Sequence, residues 1–317
     1  MSRPFPVPRV LLAHITDRCN LACAFCDLPH RPRDLTLAQL APLLDEAAGI
    51  GIRNLVLTGG EPFLHPEFFD IVAHAKRRSF GINVTTNGWT LARDAARIGA
   101  ARIDSISASI DGEEPTHDSL RGMAGSYARA VEGLRALRDE APDVALSVYS
   151  VATNRNVHEL QAVLELAGSL DADFNFWPVN NVPELYITEE TDRAAYLALV
   201  DRLAGESEEF ARRREYYETG LRYHAEGGDL RVRCLGFSDQ VGLGVDGRVL
   251  PCCVWSENSL ILGNALEQGF KTLLSSPRAA ALRERLHAEG CRGLCFNHSL
   301  YEFSQKTGEP FLLEERR

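Results

Sequence analysis

Cys19, Cys23 and Cys26 stand with three and two residues between them, just after the apolar run 10–15. Thiolates bind soft metals, and three of them within eight residues can wrap one metal centre. A four-iron cluster held by three cysteines keeps one iron open for a further ligand. A zinc site asks for four ligands, typically in paired C-x-x-C halves, and Cys19 breaks that pairing. A disulfide would leave one thiol over and requires an oxidising compartment. A second signal follows thirty-three residues past Cys26: Gly59-Gly60-Glu61-Pro62, closing the β-rich run 54–58. A glycine pair lets backbone approach a ligand that side chains would keep away.

The other five cysteines gather near the C-terminus: Cys234, Cys252, Cys253, Cys291 and Cys295. Between the first two, residues 241–250 read as a hairpin around an Asp246-Gly247 turn. Neighbours in a strand point to opposite faces, so Cys252 and Cys253 do not both serve one metal centre. A closed zinc site holding a small domain together is one chemistry open to these cysteines. A buried thiol is the ordinary state of a leftover cysteine such as Cys253.

The elements between these groups alternate. Strands are expected at about 10–15, 54–58, 81–86, 103–110, 144–152 and 172–177. Helices are expected from the Thr36–Gln39 capping box to about 48, near 67–78 and 91–99, from a Ser126 cap to about 139, and opening at Asn156. Six strand–helix alternations with short connections predict a parallel sheet with helices outside. Ligands of such sheets gather at the C-terminal ends of the strands. The cysteine loop, the Gly59–Pro62 turn, Asn87 and Ser109 all fall there. Residues 188–228 are rich in Glu and Arg, with Tyr196, Leu199, Val200 and Leu203 at helical spacing, and read as solvated helices. The expected division is 1–187, a helical connector over 188–230, and a cysteine-rich unit over 231–317.

The chain has 317 residues, 45% hydrophobic and 25% charged, an ordinary globular composition. The net charge of −10 argues against nucleic acid and suits a cationic substrate. No apolar run approaches the ~20 residues of a membrane span, and no signal-peptide core opens the chain, so a cytoplasmic protein is expected.

The cysteine triplet and the Gly59–Pro62 turn, in this order and at this distance, resemble the radical S-adenosylmethionine (SAM) enzymes. The resemblance implies a (β/α)6 partial TIM barrel and a [4Fe–4S] cluster on Cys19, Cys23 and Cys26 whose open iron binds SAM. It implies that Gly59, Gly60 and Glu61 receive the methionine amine, that Phe25 borders the adenine, and that Ser109 and Arg121 contact ribose and carboxylate. Thr85 and Asn87 join them on the same rim. His14 is expected to pack beside the cluster without binding it.

The C-terminal pattern resembles the SPASM/twitch extension in its one-cluster form, a β-hairpin plus helix. Cys234, Cys252, Cys291 and Cys295 would then hold an auxiliary [4Fe–4S] cluster. In such enzymes reductive cleavage of SAM gives a 5′-deoxyadenosyl radical that takes hydrogen from a substrate carbon. The family's aminoglycoside and aminocyclitol epimerases and dehydrogenases suggest epimerisation of a small polar, cationic substrate, an amino sugar or aminocyclitol of antibiotic-type biosynthesis. Cys253 would be the hydrogen-atom donor. Oxidation of an alcohol to a ketone, with the auxiliary cluster taking the electron, is one alternative, and maturation of a ribosomal peptide is the other. Peptide maturases commonly carry a leader-binding module ahead of the barrel, for which a first strand at residue 10 leaves no room. A flavodoxin- or ferredoxin-type protein is the expected electron donor. Tyr149, Trp177, Asn180, Asn181 and Glu184 are candidate substrate contacts.

Overall fold

A computed structural model describes residues 7–28, 31–180, 182–225, 231–232, 234–252, 260–290 and 312–313. Six parallel strands run side by side in chain order: β1 (Val10–Thr16), β2 (Asn54–Gly59), β3 (Gly81–Thr86), β4 (Ser105–Ser109), β5 (Ala145–Ala152) and β6 (Asp173–Pro178). Helices α1 (Leu37–Ile50), α2 (Phe68–Arg77), α3 (Leu91–Ala100), α4 (Glu114–Arg121), α5 (Ser126–Glu140) and α6 (Leu160–Ser169) connect them. This is the (β/α)6 partial barrel. The period-2 pattern divides each strand. Leu11, Ala13 and Ile15 of β1 are fully buried against the helices, while Leu12 and His14 face the barrel interior.

Local signals set the helix ends. Thr36 and Gln39 form the expected capping box, and Gly51 closes α1 with φ of 109°, a conformation costly for any residue with a Cβ. One boundary and one element differ from expectation. Gly125, not Ser126, sits at the start of α5. The buried Ser126 hydroxyl donates to Asp118 Oδ1 at 2.8 Å, and the same oxygen accepts from Tyr127 N–H at 2.9 Å. The carboxylate of Asp118 thus does the capping from α4. Helix α4 itself was not foreseen, although Pro115 in its first turn is a start signal.

The connector forms three helices, α7 (Glu190–Glu206), α8 (Glu208–Arg212) and α9 (Arg214–Ala225). Tyr196, Leu199, Val200 and Leu203 are buried, as their spacing predicts. The rings of Phe176 on β6 and Tyr217 on α9 stack at 4.8 Å, which ties these helices to the barrel.

After β7 (Arg231–Val232) comes the hairpin of β8 (Gln240–Leu243) and β9 (Arg248–Leu250), turning at Gly247 with φ of 83°. It does not stand apart. Strand β8 pairs in parallel with β1, Val10 opposite Gln240, and β9 then pairs with β10 (Gly263–Asn264). The result is one nine-stranded sheet in the order β10-β9-β8-β1-β2-β3-β4-β5-β6. Helices α10 (Ala265–Gln268), α11 (Phe270–Leu274) and α12 (Pro277–Glu289) follow, and β11 (Leu312–Leu313) pairs with β7. Among the described residues no helix is long and apolar enough to cross a membrane.

Candidate cluster and SAM site

The cysteine loop is held by backbone from two sides. On one, Gly60 N–H donates to Thr16 O at 2.8 Å and Glu61 N–H to Arg18 O at 2.7 Å. A Cβ on Gly60 would lie 2.2 Å from Arg18 O and 2.9 Å from Cys19 Cβ, and one on Gly59 would lie 2.4 Å from Thr16 O. Both glycines are therefore required by the cysteine loop, whatever the ligand needs of them. On the other side Ala22 N–H donates to Arg121 O at 3.1 Å and Ala24 N–H to Leu120 O at 2.8 Å. Gly122 follows with φ of 67°, where a Cβ would strike Ala22 O at 2.4 Å.

Glu61 is buried completely and does not line the cavity. One carboxylate oxygen accepts from Thr86 Oγ1 at 2.8 Å and Phe63 N–H at 3.1 Å, the other from Asn87 N–H at 2.7 Å. Burial pushes its pKa up to about 7 against these three donors. The carboxyl locks the turn after β2 to the end of β3, and of residues 59–61 it is Gly59 and Gly60 that border the cavity.

Arg121 ends α4 beneath the loop. Its Nε donates to Asp111, a fully buried carboxylate that also accepts from Val151 N–H at 2.8 Å. Arg121 Nη1 lies 3.9 Å from Cys23 Sγ, and the guanidinium carbon sits 5.1 Å above the Phe25 ring. Asp111 is in turn fixed by His117 Nδ1, which accepts its N–H at 3.0 Å, and by Asn156 Nδ2, which donates to its carbonyl at 2.6 Å. Burial lowers the His117 pKa to about 4, so this imidazole stays neutral. Neither Asp111 nor His117 stood out in the sequence. An Asp followed by an Arg ten positions later carries no local pattern.

One cavity of about 770 Å³ lies at the C-terminal ends of the strands. Cys19, Cys23, Cys26, Phe25, Gly59, Gly60, Thr85, Asn87, Ser109 and Arg121 all border it. Trp177 and Asn180 border it as well. Tyr149 is not on the wall and packs its ring 4.9 Å from that of Trp177. Glu184 is exposed and outside the cavity, because the short helix after β6 turns it to solvent. Cys252 lines the cavity as well, just past the β8–β9 hairpin that pairs with β1. His14 stands on the cavity wall with Nε2 3.1 Å from Asp17 Oδ1, and burial lowers its pKa.

Cys234 and Cys252 are both buried. Gly236 N–H lies 3.3 Å from Cys234 Sγ, and Gly236 packs so tightly on Pro251 that a Cβ would meet its ring at 2.4 Å. Their two chain segments therefore touch. Cys253, Cys291, Cys295 and Asn181 lie outside the described residues.

The chemistry of the donor set fits an iron–sulfur cluster. Burial raises the Cys19 and Cys23 thiol pKa values, so a metal that holds them as thiolates must supply the compensating charge. Three thiolates spaced along one loop can each hold a different iron of a cluster.

Comparisons with known proteins agree with this geometry. A model of the radical SAM superfamily matches residues 14–167, and a model of the SPASM iron–sulfur cluster-binding domain matches residues 234–296. The chain is 28% identical to an AdoMet-dependent heme synthase of Methanosarcina barkeri, over 91% of this chain and 88% of that one. It is 30% identical to a PqqA peptide cyclase of Rhizobium meliloti, over 77% of this chain and 67% of that one. The fold is also that of Streptococcus suis SuiB bound to S-adenosylmethionine, with a TM-score of 0.69 at 17% identity, covering 88% of this chain and 68% of SuiB.

Proposed function

The chain belongs to the radical SAM superfamily, and we propose that it acts on a peptide, removing hydrogen from a side-chain or backbone carbon to form a new bond or centre. It is an enzyme whose cofactors are SAM and two [4Fe–4S] clusters, one of them in a SPASM domain. The cavity wall carries the peptide reading. Beyond the cysteine loop its apolar part is formed by Leu12, Val151, Trp177, Val179, Leu243 and Leu250. Asp27 is the one carboxylate on the described lining, which also holds His14, Arg121 and Arg248. A cationic amino sugar is held best by several carboxylates around its ring, and the described lining offers Asp27 alone, beside Arg121 and Arg248. An aliphatic or aromatic side chain fits it. The PqqA peptide cyclase relative supports the same class of substrate.

When bound, the cluster at Cys19, Cys23 and Cys26 supplies the electron that splits SAM to methionine and a 5′-deoxyadenosyl radical. The chain's own part is placement. The Gly59–Gly60 backbone, Ser109 and Arg121 hold SAM, Phe25 borders its adenine, and Thr85 and Asn87 complete the rim. Trp177 and the leucines exclude water from the carbon that reacts. Cys252 brings the ligand sphere of the second cluster to the same cavity, which favours net oxidation of the substrate. A flavodoxin- or ferredoxin-type donor and the reducing cytoplasm belong to the same proposal.

The test is anaerobic, with reconstituted protein, SAM and dithionite. A library of ribosomally encoded peptides and a panel of aminocyclitols and aminoglycosides are offered separately and read by mass spectrometry. The expected result is a peptide product lacking two hydrogens, formed one-for-one with 5′-deoxyadenosine. Turnover of amino sugars alone, as epimers through Cys253 or as ketones, would overturn it.

A further inference from the structure

Two of the three cluster cysteines receive side-chain N–H donors, one from the residue after β3 and one from the last residue of α4. Asn87 Nδ2 lies 3.9 Å from Cys19 Sγ, which also accepts from Leu21 N–H at 3.4 Å. Arg121 Nη1 lies 3.9 Å from Cys23 Sγ. Neither donor is loose. Asn87 is held through Trp89 N–H on Oδ1 at 3.0 Å, and through Nδ2 on Asn20 Oδ1 at 2.9 Å. Arg121 is held through Nε on Asp111, itself 0% exposed and fixed by contacts from Val151, His117 and Asn156. Holding the arginine requires no such depth of support if its one task is to meet a SAM carboxylate at a solvent-reached rim.

We infer that Arg121, held by Asp111, and Asn87 are positioning residues that set the reduction potential of the SAM-site cluster through the sulfurs of Cys23 and Cys19. Reduction adds negative charge that is shared with the thiolate sulfurs. A cation or an N–H dipole aimed at a sulfur stabilises that charge and raises the potential. The effect is large here because the ion pair is buried, where charges are poorly screened. Asp111 opposes it. Its negative charge holds Arg121 in place and at the same time offsets part of the field that Arg121 exerts on Cys23. The pair is thus a trim with two hands, and removing either partner moves the potential in opposite directions. This goes beyond SAM binding and beyond the choice of substrate.

The test is a redox titration followed by electron paramagnetic resonance on the reconstituted full-length protein, with no substrate present. Failure of the peptide reading therefore leaves its outcome untouched. Arg121→Gln is expected to shift the SAM-site potential to more negative values, and Asp111→Asn to more positive ones. Arg121→Lys should fall between Arg121→Gln and the unaltered protein. Should the buried pair not tolerate substitution, Asn87→Asp still decides. Its Oδ1 keeps the Trp89 contact, and Asn20, whose Nδ2 has no partner, can turn its amide to meet the new carboxylate. Its potential should shift negatively. In every case the auxiliary cluster of the same sample should keep its potential. Shifts of the same sign in Arg121→Gln and Asp111→Asn, or no shift in Asn87→Asp, would refute the inference.

Discussion

The two cysteine regions solve different problems with the same side chain. Cys19, Cys23 and Cys26 sit half-buried to exposed on a loop without regular structure, yet that loop is gripped by the turn after β2 and by the end of α4. Cys234 and Cys252 are 3% and 4% exposed, and their segments continue the barrel sheet through the β8–β9 hairpin. A cluster that must bind SAM needs an open side, so rigidity has to come from neighbouring backbone rather than from burial. A cluster that only passes electrons can be enclosed. Glycines mark both grips, and each offers a way to loosen one region and leave the other intact.

Gly60→Ala should have the largest effect. Its Cβ would collide with Arg18 O at 2.2 Å and displace the loop that carries Cys19. Loss of SAM cleavage by about 100-fold or more is expected, since small displacements of a reacting centre cost that much. Iron content should fall by half, as measured on the reconstituted protein. Gly242→Ala attacks the second region. A Cβ there would lie 2.7 Å from Cys252 O. The expected result is iron retention at the second site weakened about tenfold, a typical cost of disturbing ligand support, with 5′-deoxyadenosine still formed. Equal damage to both clusters from either variant would break the comparison.

The third effect is on stability and is smaller. Glu61 has a folded-state pKa of about 7 against an ordinary 4.5, because burial favours the neutral acid. The folded state therefore holds this proton more tightly, and its contribution to stability falls as pH rises from 4.5 to about 7, then levels. Over that window the stability of Glu61→Gln relative to the unaltered protein should rise by about 3 kcal/mol, read from urea unfolding at several pH values. A flat difference would mean the carboxyl is ionised when buried, held by its three donors.

Much of this could be read from the residues. Periodicity located all six barrel strands, the Thr36–Gln39 box fixed the start of α1, and cysteine spacing with the Gly59–Pro62 turn brought the SAM-site groups to one rim. What was not legible depends on contacts between distant segments. The parallel pairing of β8 with β1 joins residues about 230 positions apart and has no local signal. The glycine pair was read as making room for ligand, while the structure shows it making room for Thr16–Cys19 backbone. Glu61 was read as a contact for the methionine amine and Asp111 drew no reading, and only burial and their partners reveal both carboxylates as ties. Net charge says little about the cavity: the chain carries −10 overall, while the described lining holds one carboxylate beside two arginines and a histidine.

The most direct measurement is iron and sulfide content with Mössbauer spectra on protein reconstituted without oxygen. It should be run beside a variant with Cys19, Cys23 and Cys26 changed to Ala and another with Cys234 and Cys252 changed to Ala. Two clusters predict about eight irons per chain, falling to about four in each variant. Four or fewer irons accompanied by one zinc would contradict this, making the C-terminal cysteines a structural metal site and removing the second cluster from the chemistry.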